Sequence, residues 1–165
     1  MSAVFIFFKA SAFTLLVVLL CACDDKRVFE DNRDLASKSW YVDSVLTFQF
    51  EVKEPEKPYN LLINIRNSEN YPYYNLFQRY YLSDSSGQEL KSQQTELILM
   101  DPKTGRPLGK GLGDIYSHQF ELLGNFTFPK KGKYTIKLKQ YMRENPLPEV
   151  YSVGFRLEEV GTGKK

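Results

Sequence analysis

The chain has 165 residues, with 22 Lys and Arg against 20 Asp and Glu and a net charge of +2. That length supports one domain with a real core, and the near balance of charge supplies no basic field for nucleic acid. One His and two Cys argue against a zinc site or a disulfide framework, while 12 Phe and 11 Tyr favour strands.

Residues 1–22 read as an export signal. Lys9 and the N-terminal amine form a short positive region. The apolar run Ser11–Leu20 is too short to span a bilayer, which takes about 20 residues. The run ends in Leu20-Cys21-Ala22-Cys23, the order aliphatic, tolerant, small, Cys of a bacterial lipoprotein signal. Cleavage after Ala22 makes Cys23 the new N-terminus, acylated by palmitate-type chains. Two or three such chains anchor stably where one is marginal. Choosing Cys21 instead would put Leu20 in the small position, a poor fit. No cysteine then remains for a disulfide, and stability must come from the core.

Residues 23–39 are polar and acidic and read as the lipidated N-terminus and a tether, with Val28, Phe29 and Leu35 able to dock. Residues 40–160 read as one β-sandwich domain, and 161–165 as a loose tail. Trp40 to Val52 forms the first strand, with Leu46, Phe48, Phe50 and Val52 on one face, the period of two of a half-buried strand. Strands follow at Tyr59 to Arg66, Asn75 to Leu82 and Glu89 to Met100, the last as one strand or two, with a helix as its alternative. Asp101 to Gly113 holds four glycines and two prolines, which no strand or helix interior tolerates. Alternation resumes at Ile115 to Leu123, with Tyr116, His118, Phe120 and Leu122 on one face. It continues at Tyr134 to Tyr141 and at Val150 to Val160. About seven or eight strands with frequent turns indicate a mainly β fold. The expected architecture is an antiparallel sandwich, jelly-roll or immunoglobulin-like, with a closed barrel as the competing geometry.

No catalytic set stands out. A Ser/His/Asp mechanism would have to use His118, which sits inside an alternating strand and reads as structural. No cofactor or metal site is expected, and Gly109 to Gly113 lacks the spacing of a phosphate loop. Two loops are candidate contact surfaces. One carries Tyr71, Tyr73 and Tyr74, rings that can stack on a sugar or anchor a protein. The other is the glycine-rich loop with Arg106 and Lys110.

Several runs in order resemble one family: Lys57-Pro58-Tyr59-Asn60-Leu61, Asn64-Ile65-Arg66-Asn67, Asn70 to Leu76, Gly105 to Gly113, Gln140 to Arg143 and Val153 to Arg156, together with Cys23-Asp24 and Val28-Phe29. They resemble the gliding motility lipoprotein family GldH of the Bacteroidota over essentially the whole exported chain. Tyr141 departs from the alanine expected after Gln140, which bears on packing. The resemblance implies a lipoprotein required for gliding in species that glide, working with membrane and periplasmic proteins linked to type IX secretion, and it carries over no catalytic residues. The expectation is a non-enzymatic binding or assembly component of the cell envelope, lipid-anchored, with the membrane and its face left open. The alternative is a surface module that binds glycan through the Tyr71–Tyr74 loop.

Overall fold

The computed structural model describes Asp24 and residues 26–161. Eleven strands run in chain order: β1 Arg27–Asp34, β2 Ser39–Trp40, β3 Leu46–Val52, β4 Tyr59–Ser68, β5 Asn75–Asp84, β6 Glu89–Ile98, β7 Lys110–Leu112, β8 Ile115–Phe126, β9 Gly132–Gln140, β10 Leu147–Pro148 and β11 Val150–Glu159. A short 3-10 turn, Ala36–Lys38, separates β1 from β2. One sheet has the order β1-β11-β4-β8-β7, a second has β3-β9-β5-β6, and β10 and β2 form a small ribbon. Every pairing is antiparallel.

The two large sheets face each other across one core. Phe155 on β11 lies 5.1 Å from Phe50 and 6.2 Å from Phe48 on β3, ring centre to ring centre. Phe29 on β1 reaches the same Phe50 at 6.1 Å. Inward positions alternate as a half-buried strand requires: Phe48, Phe50 and Val52 on β3, Leu61, Ile63 and Ile65 on β4, and Tyr134, Ile136 and Leu138 on β9 are all buried.

The strand order decides between the two expected sandwiches. Leaving out β2, β7 and β10, each of two or three residues, eight strands remain. In chain order the first pairs with the eighth, the eighth with the third and the third with the sixth; across the core the order is second, seventh, fourth, fifth. Those are the two interleaved four-stranded sheets of a jelly roll.

Three local readings change. The segment read as tether supplies β1, which adds to the edge of the sheet through backbone bonds to β11. Its sequence, RVFEDNRD, shows no alternation because a charged edge strand is recruited by its main chain. The strand expected from Trp40 to Val52 is interrupted: Trp40, fully buried, pairs with Leu147 in the ribbon, and its Nε1 donates to the Ser44 carbonyl at 3.0 Å across the turn to β3. Glu89–Ile98, for which a helix was the alternative, is one strand.

Candidate functional site

On the outer face of the five-stranded sheet, register sets polar side chains in rows. Asp34, Ser152, Arg66, Ser117 and Lys110 form one row across all five strands, and Asn32, Gly154, Asn64 and Gln119 form the next. A hollow of about 800 Å³ lies over them. Gln119 Nε2 donates to Asn64 Oδ1 at 2.9 Å, and Asn64 Nδ2 donates to Glu30 Oε1 at 2.9 Å and to Asn32 Oδ1 at 3.1 Å. Gly154 leaves room for this ladder, since a Cβ there would lie 1.9 Å from Asn32 Oδ1.

Arg156 closes one end of that face. Its Nη1 donates to Glu30 Oε2 at 2.8 Å, its Nε to Glu158 Oε1 at 2.5 Å, and its Nη2 to the Asp24 carboxylate. The arginine holds the Asp24 and Glu30 carboxyls below the usual range, against the desolvation that raises them. Backbone bonds from Glu159 N to Lys26 O (2.8 Å) and Val160 N to Pro58 O (2.9 Å) bind the same corner. Asp24 is therefore fastened beside the start of β4 and the end of β11.

The opposite end gathers the long loops. The Tyr74 carbonyl accepts from Leu99 N and Met100 N, Glu69 N donates to Asp114 O, Tyr73 Oη donates to Glu144 Oε2 at 2.6 Å, and Val42 N donates to Asn145 Oδ1. Among the described residues the exposed large apolar side chains are Tyr41, Val45, Tyr73, Tyr74, Leu108 and Tyr141 at this end, and Val28 at the other.

The sequence-picked residues thus separate. Tyr71 is buried at 5% exposure, donating to the Asn75 carbonyl at 2.9 Å, so it belongs to the core rather than to a contact surface. Tyr73 and Tyr74 are exposed. Arg106 is exposed in the loop between β6 and β7, where its carbonyl accepts from Asp101 N at 2.7 Å. Lys110 instead joins the polar hollow. Ala22 and Cys23 lie outside the described residues. His118 is buried and stacked on Phe120 at 5.8 Å. Burial pulls its pKa down to about 4, and its Nε2 has no hydrogen-bond partner among the described residues. The ladder of Glu30, Asn32, Asn64, Gln119 and Arg156 escaped the sequence reading. Outward polar positions were legible strand by strand, but their convergence depends on β11 lying between β1 and β4. Among the described residues no group of three or more His, Cys, Asp or Glu is arranged to hold a metal ion.

Comparison with known proteins gives the chain its family. The pattern of the GldH lipoproteins matches residues 27–157. The gliding motility lipoprotein GldH of Flavobacterium johnsoniae is 36% identical over 152 residues, covering 88% of this chain and 92% of its own. A protein named gliding motility lipoprotein GldH homolog, from Christiangramia forsetii, is 31% identical over 159 residues, covering 92% of this chain and 96% of its own. Likeness to solved structures is weaker: a 4-O-methyl-α-glucuronidase with specificity for decorated arabinogalactans superposes with a TM-score of 0.43 at 13% identity, covering 84% of this chain and 18% of that one. With most of the domain matched by one family, the chain belongs to the GldH lipoproteins.

Proposed function

We propose that this protein is a non-enzymatic assembly component of the gliding and type IX secretion apparatus, tethered through acylated Cys23 and working by contact. Membership in the family makes it a lipid-anchored protein of the cell envelope. The observation that carries the finer reading is the match over nearly the whole chain to relatives named for gliding motility.

Geometry supports a contact role. From Cys23 to the first residue of β1 is four residues, a reach of at most about 14 Å. The sandwich then stands close to its bilayer, the Asp24 corner inward and the loop end with its exposed tyrosines outward. The sole histidine is packed on Phe120 and tucked under Gly109, a poor place for a general base. The alternative, sugar binding through the Tyr71–Tyr74 loop, is weakened by the burial of Tyr71 and the bond from Tyr73 to Glu144.

The test is complementation of a deletion strain of a gliding host. Wild-type protein restores spreading, and Cys23→Ser does not, although the protein accumulates. Full restoration by Cys23→Ser would remove the anchor from the mechanism. Crosslinking from the loop end, at Tyr74, should capture motility or secretion proteins.

A further inference from the structure

The outer face of the four-stranded sheet carries a cluster that the fold alone does not explain. Arg79 on β5 and Lys139 on β9 are directly opposite in register, and Lys137, two residues along, is opposite Tyr81. Like charges directly opposite one another destabilise a sheet, and these occupy its two central strands. Among the described residues none of the three forms an ion pair with a carboxylate. The Nε of Arg79 is buried without a partner, a donor left unmet at a cost in stability.

Two tyrosines complete the cluster. The hydroxyls of Tyr81 and Tyr141 meet at 3.1 Å. The Arg79 guanidinium lies 5.3 Å from the Tyr81 ring centre, and Lys139 Nζ lies 5.9 Å from that of Tyr141. The bond with Tyr81, followed by the charges of Arg79 and Lys139, holds the Tyr141 phenol below its ordinary range. Beside them is a hollow of about 500 Å³ lined by Lys137, Lys139, Tyr81, Thr47, Val45 and Glu89, whose carboxylate accepts from the Ser92 hydroxyl at 2.7 Å. The hollow presents Lys137, Lys139 and the Tyr81 phenol beside exposed Val45, and Arg79 and exposed Tyr141 adjoin it through Tyr81 and Lys139.

We propose that this face binds an acidic polysaccharide, with Arg79, Lys137 and Lys139 taking its carboxylate, sulfate or phosphate groups and the tyrosines packing against its sugar rings. Charge complementarity chooses the anion: an oxyanion bound between Arg79 and Lys139 relieves their repulsion through charge-assisted hydrogen bonds. Open hydroxyl-lined ground beside aromatic rings chooses a sugar chain over a peptide, because ring faces pack on C–H surfaces while hydroxyls bond around them. The proposal is independent of Cys23, although Val45 and Tyr141 bring the site up to the loop end of the sandwich.

The test uses the full-length lipoprotein in detergent micelles, titrated with polygalacturonate and dextran sulfate. Uncharged dextran, poly-glutamate and phosphatidylglycerol vesicles serve as comparators. Both anionic polysaccharides should bind, more weakly as salt rises. The double variant Arg79→Gln/Lys139→Gln should bind at least tenfold more weakly with an unchanged or higher Tm, and Lys137→Gln alone at least threefold more weakly. A control with the same charge loss elsewhere, Lys53→Gln/Lys103→Gln, should bind within twofold of wild type. Absence of polysaccharide binding, equal loss in the control, tighter binding of poly-glutamate or vesicles, or a clear fall in Tm for the double variant would each overturn the proposal.

Discussion

Gly109 lies directly over the imidazole of His118: a Cβ added to the glycine would stand 2.7 Å from His118 Nε2 and 2.7 Å from the Ser117 carbonyl oxygen. The segment entering β7 can pass so close only without a side chain. Gly109→Ala should therefore cost about 1–3 kcal/mol, the range for overpacking a tight contact. The check is the midpoint of denaturant unfolding. An unchanged midpoint would mean that the loop is not seated on the histidine.

The same burial makes His118 a source of acid sensitivity. Its pKa is lowered from 6.5 to about 4 in the folded protein by desolvation. An unfolded chain takes up this proton near pH 6.5, whereas the fold resists it until about pH 4. Stability from this group is thus full above pH 6.5 and is lost as pH falls from 6.5 towards 4, by up to about 3 kcal/mol at 1.36 kcal/mol per pH unit. His118→Gln should flatten the fall in Tm across that window. An equally steep fall in the variant would place the acid sensitivity elsewhere.

A methyl group on Gly154 would meet Asn32 Oδ1 at 1.9 Å and the Asp31 carbonyl oxygen at 2.8 Å. The amide of Asn32 can swing aside, but the backbone of β1 cannot without loosening its pairing with β11. Gly154→Ala should cost about 1–3 kcal/mol and raise amide exchange along Arg27–Asp34 well before other strands. Uniform exchange across the sheet would contradict a local peeling of β1.

Arg156 is 11% exposed, and its carboxylate partners Glu30 and Glu158 are each 20% exposed. Removing the cation strands two half-buried carboxylates together, so Arg156→Met should destabilise by about 2 kcal/mol. It should also release the Asp24 corner, read as faster proteolysis near Lys26 and Arg27. Wild-type resistance to trypsin at those bonds would show that Arg156 does not fasten the N-terminus.

Within the tyrosine loop the three rings should behave differently. Tyr71→Phe leaves the buried Asn75 carbonyl without its 2.9 Å donor and should cost about 1 kcal/mol. Tyr74→Ala, at an exposed position, should leave the thermal midpoint nearly unchanged. Equal destabilisation by the two would undo the division of this loop into core and surface.

What could be read from the sequence was what side-chain alternation encodes. The inward faces of β3, β4 and β9 and the two-faced alternation of β8 are legible because each strand packs one face on the core and leaves the other wet. β1 is not legible for the opposite reason: Phe29 alone among its residues packs against the core, and its pairing is made by backbone groups that carry no sequence mark. Trp40 belongs to a different element from the one its sequence suggests because five residues, Tyr41 to Val45, read as strand where the chain turns. The outer-face clusters depend on strand order. Asn64 and Gln119, 55 residues apart, hydrogen-bond only because β4 pairs with β8, and Arg79 meets Lys139 only because β5 pairs with β9. Alternation identifies faces, but not neighbours.

The central claim is that acyl chains on Cys23 hold this jelly roll within a few residues of a bilayer. Intact-mass spectrometry of the protein purified from membranes of its own cell tests it most directly. The account predicts a polypeptide beginning at Cys23 that carries added diacylglyceryl and acyl mass, with Cys23→Ser found unacylated and released from the membrane fraction. A mature chain beginning elsewhere, or a Cys23→Ser protein of unaltered membrane partition, would contradict it.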